Sequence, residues 1–119
     1  MKKPNGEFSV KSHFQNKDKV VREIYERLLR KVGQCGTVSE DPKKTSIHLV
    51  HRTAFAGVAT RKAAINLTIK SDHALSSSRV TKSEQVSAHR FHHEVKLTSP
   101  DDIDSELIGW LTEAYELSA

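Results

Sequence analysis

Cysteine occurs once, at Cys35, so the chain can close no intrachain disulfide and build no cysteine-based zinc site, which needs three or four thiolates. Reactivity at that thiol is not expected, because no pKa-lowering neighbour stands near Gly33-Gln34-Cys35-Gly36. One Trp, two Tyr and four Phe are too few to tile a surface with stacking rings once the helix stripes and strand faces have taken theirs. Long apolar runs are also missing. No stretch nears the roughly 18 residues that span a bilayer, and no apolar run of about 7 to 15 residues follows Met1-Lys2-Lys3 as it would in an export signal. There is no C-terminal cysteine to carry a prenyl group. The expectation is a soluble cytoplasmic protein with no membrane partner. Nucleotide loops, a Gly-x-Ser-x-Gly elbow, a His-Glu-x-x-His helix and a Cys-x-x-Cys pair are absent as well.

The 119 residues that remain are 36% hydrophobic and 29% charged, enough for one core and no more. Residues 1–12 read as a flexible N-terminal arm and 13–119 as a single α+β domain. Val20, Val21, Ile24, Tyr25, Leu28, Leu29 and Val32 recur at helical spacing, after a cap at Asn16 or Asp18 and before a glycine stop at Gly33 in a left-handed conformation. The period then changes to two. Strands are predicted at Thr37–Glu40 (an edge, broken by Asp41-Pro42), Thr45–Arg52, Phe55–Thr60, Ala63–Lys70 and, after a loop at 71–83, Val86–Leu97. Ile65, Leu67 and Ile69 alternate with Asn66, Thr68 and Lys70, the pattern of a half-buried strand. Ser99-Pro100-Asp101-Asp102 reads as the start of a last helix, with Ile103, Leu107, Trp110, Leu111, Ala114 and Tyr115 as its buried stripe. Connections this short imply an antiparallel sheet of four to five strands covered by the two amphipathic helices.

Charge is unevenly distributed. The net +4 hides nineteen Lys and Arg against nine acids over residues 1–99, then six acids and no Lys or Arg over 100–119. Arg52, Arg61, Lys62, Lys70, Arg79, Arg90 and Lys96 could face phosphates, although ordinary solvated strand faces carry such residues too.

Seven histidines raise the question of a metal, most densely in His89-Arg90-Phe91-His92-His93. Spacing argues against a local site: His92 and His93 would point to opposite sides of a strand, and His89 and His93 would lie about 13 Å apart. A metal would need His48 or His51 from a neighbouring strand, so no metal and no cofactor are assigned.

The order Lys44-Thr45-Ser46-Ile47-His48, Arg52-Thr53-Ala54-Phe55-Ala56-Gly57-Val58, His93-x-Val95-x-Leu97, Ser99 to Asp104 and Gly109-Trp110-Leu111-Thr112-Glu113-Ala114-Tyr115 resembles DUF5655, a bacterial domain family of unknown function. The resemblance runs from about residue 13 to the C-terminus, and it implies a stand-alone or appended domain without catalytic residues to carry over. The layout also resembles frataxin-like proteins linked to iron handling, but the first helix here is basic where an iron-holding ridge would be acidic. The leading expectation is therefore a non-catalytic binding or accessory module for an anionic small molecule, nucleic acid or protein partner. Its ligand-binding candidates are His48, Arg52, Arg61, Arg90 and His92. The alternatives are a small enzyme using His48, His92 or His93 with Arg52 or Arg90, and a metal carrier. A homo-oligomer could form through an edge strand or the sheet face.

Overall fold

A computed structural model describes residues 8–118. The N-terminal arm expected at 1–12 falls largely outside these residues. What is described of it turns in a short 3₁₀ helix, Lys11–Phe14, which docks: His13 Nε2 donates to the Lys43 carbonyl at 2.8 Å, and Thr60 Oγ1 donates to the His13 carbonyl at 2.6 Å.

Helix α1 spans Lys19–Val32 and buries Val21, Ile24, Tyr25, Leu28 and Val32, the stripe that its spacing requires. Its N-cap is Asp18 by position, but the carboxylate pairs with Lys62 at 3.3 Å and makes no capping bond. The left-handed stop expected at Gly33 is not there. Gly33 stays right-handed at φ −62°, and the positive φ falls at Gly36, at +148°.

Six strands follow: β1 (Ser39–Pro42), β2 (Ile47–Val50), β3 (Ala54–Thr60), β4 (Ile65–Ser71), β5 (Val80–Ser87) and β6 (Arg90–Leu97). They form one fully antiparallel sheet in the order β1-β2-β3-β4-β6-β5. This corrects the expected four to five strands. The single strand expected at Val86–Leu97 is a hairpin turning at Ala88-His89, and the last third of the expected loop 71–83 belongs to β5. Nor do Asp41 and Pro42 break β1; they extend it, because on an edge strand the missing N–H of proline interrupts no ladder.

Helix α2 spans Ser105–Leu117, later than the Ser99 start expected. Ser99 does cap a turn, Pro100–Asp102, with Asp102 returning the bond to the Ser99 amide, but that turn is 3₁₀ and stops at Ile103. The α-helix begins again with its own cap, Asp104 Oδ1 accepting from the Leu107 amide at 3.1 Å.

Both helices lie on the same side of the sheet, α2 against β3 and β4 and α1 against β4 and α2. Between them and the sheet sits the core: Ile47, Leu49, Val58, Ile65, Leu67, Ile69, Val95 and Leu97 from the strands, with Ile24, Leu28, Leu107 and Leu111 from the helices. Phe55 joins this core through a bulge. Leu49 and Val50 oppose Ala56 and Ala54, leaving Phe55 as the extra residue, and its ring meets Tyr115 edge-on with centroids 5.4 Å apart. Trp110, expected in the buried stripe, is only half-buried at the margin.

Candidate functional site

With both helices on one side, no described helix covers the other side of the sheet, its open face. Period-two alternation puts His48 of β2, Gly57 and Ala59 of β3, Thr68 and Lys70 of β4, and His92 and Glu94 of β6 on it. The register aligns them in rows. His48 lies beside Gly57, Gly57 beside Thr68, Thr68 beside Glu94, and Glu94 beside Lys82. In the next row Lys70 lies beside His92, and His92 beside Glu84.

Small residues on β3 hollow this face. Ala54, Gly57 and Ala59, with the main chain at Ala56, whose side chain faces the core, floor a depression of about 270 Å³, rimmed by Ser46, His48, Thr68, Lys70 and His92. A second, shallower hollow adjoins it, lined by Thr68, Lys82, Glu84, His92 and Glu94. His92 and Thr68 belong to both, so His92 stands between a basic side and an acidic one.

The basic side is electrostatically uncomfortable. Burial, and then the Arg90 guanidinium, hold the Lys70 amine below its usual range. Burial likewise pulls the His92 imidazole down, helped by Lys70 and opposed by Glu84. Among the described residues no carboxylate forms an ion pair with Lys70, Arg90 or His92. The protonated forms of two bases set directly opposite across a ladder repel, so each disfavours the other's proton.

The five residues singled out from the sequence divide. His48 and His92 line the same depression, and Arg90 lies close enough to Lys70 and His92 to lower both. Arg52 is exposed in the β2–β3 turn, and Arg61 sits at the opposite end of β3, in a wide hollow with Asn66 and Lys96. Neither joins the depression. Lys70 was legible only as one of several phosphate-facing cations, and Ala54, Ala56, Gly57 and Ala59 only as strand residues. The run of small side chains between Phe55 and Val58 is the signal that could have marked a hollow.

His93, the enzyme alternative to His92, faces the other way. It is fully buried, accepting from the Ser83 hydroxyl at Nδ1 (2.8 Å) and donating from Nε2 to the His73 carbonyl (3.1 Å). His51 is spent on Tyr115, their rings stacked 4.0 Å apart. No group of three or more His, Cys, Asp or Glu among the described residues is placed to hold a metal ion. No described helix is long and apolar enough to cross a membrane.

These features define a class: a small α+β protein with one antiparallel sheet, both helices on one face and a basic hollow on the other. Residues 10–118 match the family described as Domain of unknown function (DUF5655), and the chain belongs to that family. Comparison with curated proteins and with solved structures finds no match.

Proposed function

We propose that the open sheet face is a non-catalytic binding surface for a small anionic ligand with a flat apolar body. The body would lie on Ala54, Gly57 and Ala59, and the charge at Lys70 and His92, with Arg90 behind them. One observation carries this reading. Lys70 and His92 are half-buried register partners on neighbouring strands with no paired carboxylate among the described residues. The volume of the hollow suits one ring with an anionic group and lies just below the usual range for drug-sized ligand sites. A strand of nucleic acid fits less well, because no Phe, Tyr or Trp lines either hollow to stack a base.

Calorimetric titration with sulfate, pyrophosphate and a mononucleotide tests the reading. A charge-assisted hydrogen bond contributes about 1.5–3 kcal/mol, so Lys70→Met is expected to weaken binding by roughly tenfold or more, while Arg61→Met leaves it unchanged. Binding that ignores Lys70→Met, or no heat with any of the three anions, contradicts it. An enzyme reading draws on the same hollow, since His92 lies between Lys70 and Glu84 as an acid/base group would. Turnover in a hydrolase and phosphatase screen, abolished by His92→Gln, would favour that reading instead.

A further inference from the structure

The two edges of the sheet differ. β1 is four residues long, carries Glu40 and Asp41 and ends in Pro42, all features that discourage another strand from adding. β5 has eight residues, pairs with β6 on one side only among the described residues, and leaves Thr81 to Ser87 exposed, Val86 at 46%. Residues 80–86 read Val-Thr-Lys-Ser-Glu-Gln-Val, a sequence whose chemistry mirrors itself about Ser83.

We propose that β5 is a self-association edge, at which two copies of this chain pair antiparallel about a two-fold axis through Ser83 and join their sheets into one. In that register each Lys82 faces the partner's Glu84, within the straight part of the strand. Charge selects this register over its neighbours. An axis at Lys82 sets lysine against lysine, an axis at Glu84 sets glutamate against glutamate, and like charges directly opposite destabilise a ladder. Axes midway between residues set Lys82 against a serine or a glutamine and gain no ion pair.

Lys82 and Glu84 are free to meet partners. Both lie on the open face, where they line one hollow, and neither forms an ion pair within the chain among the described residues. With the axis perpendicular to the sheet, both pairs of helices stay on the same side and the two open faces become continuous. The β5–β6 ladder is irregular between Val80 and Lys82 and again between Gln85 and Ser87, so only Lys82 to Gln85 is straight. The contact is therefore short and reversible. It requires no ligand at Lys70 and His92, although Glu84 lies beside His92 across the β5–β6 ladder.

Sedimentation velocity at low salt, over a wide range of protein concentration, reads this association. A concentration-dependent dimer is expected, weakened by Lys82→Glu or Glu84→Lys alone and restored when both are combined, because the swap rebuilds the same pairs in reverse. Circular dichroism melts establish that each variant is folded. In a Cys35→Ser background, Ser83→Cys is expected to form an interchain disulfide on mild oxidation, and Ser39→Cys on the opposite edge is not. A monomer at every concentration overturns the proposal. So does a dimer indifferent to either single reversal, or a double swap that fails to restore association.

Discussion

At Gly36 and Gly57 the same added methyl group would meet different surroundings. Gly36 has φ +148°, and a Cβ there would run into the hydroxyl of Tyr115, which donates to the Thr37 carbonyl at 3.1 Å. Gly36→Ala is therefore expected to cost about 1–3 kcal/mol, read by urea denaturation. At Gly57 a Cβ would touch His48 Cδ2 at 3.9 Å and Thr68 Cβ at 4.0 Å, ordinary contacts. Gly57→Ala should leave stability unchanged or raise it by about 0.5–1 kcal/mol, while filling the floor and weakening any ligand with an apolar body. A variant that keeps full affinity for the mononucleotide would show that the floor is not used. His92 supplies the pH dependence. Its folded value lies below the ordinary histidine range, so the unfolded chain takes up the proton first, and the neutral ring's contribution to stability is present above about pH 6.5 and lost as pH falls. An anion bound beside His92, as proposed, would reverse that preference. Affinity for sulfate, whose own charge is fixed, is therefore expected to rise as pH falls from 8 towards about 6, and calorimetry showing no change over that range would contradict it.

Helix α2 and the segment leading into β5 are joined by Arg79. Its guanidinium donates to Asp104 Oδ1 at 2.7 Å and to the Asp102 carbonyl at 2.6 Å, with Glu106 Oε1 at 3.4 Å. Asp104 thus both caps the helix and holds Arg79. Its bond from the Leu107 amide, followed by Arg79, keeps its carboxyl below the usual range. A lowered carboxylate stabilises the fold above about pH 4 and loses that contribution as pH falls through the folded value. Asp104→Ala is expected to cost about 1 kcal/mol as the loss of a cap and to flatten the acid limb of the stability profile. An unaltered acid limb would show that other carboxylates set it. Legibility at this scale followed local chemistry. The α1 stripe and the β4 alternation can be read directly, because burial on one face leaves a period in the residues. The β5–β6 hairpin could not be read, since Ala88-His89 contains neither Gly nor Asn, no residue there has positive φ, and Val80 to Ser87, exposed on the edge, shows little apolar alternation. The sequence does not distinguish the α2 start from the turn at Ser99, because Ser99 and Asp104 both carry capping chemistry five residues apart, and only the geometry at Ile103 separates the two turns.

Across the molecule, charge is separated along the chain and partly rejoined in space. Nineteen Lys and Arg against nine acids precede residue 100 and six acids follow, yet of that acidic tail only Asp104 and Glu106 form ion pairs with the basic part among the described residues, both through Arg79. The open face keeps its own cations, and this is where the sequence was least informative. His48, Arg90 and His92 could be named as candidates, but their meeting with Lys70 depends on a strand order that puts β6 beside β4 and β5 outside it. Arg52 and Arg61 looked equivalent to Arg90 in the sequence, and the ends of β3 hold them away from the hollow. The most direct test of an anion site on this face is the side-chain titration of His92, followed by NMR without and with saturating sulfate. The expected result is a rise in the His92 pKa on binding, with amide shifts concentrated at Gly57, Thr68, Lys70 and His92. An unchanged His92 titration, or shifts centred on Arg52 or Arg61 instead, would contradict it.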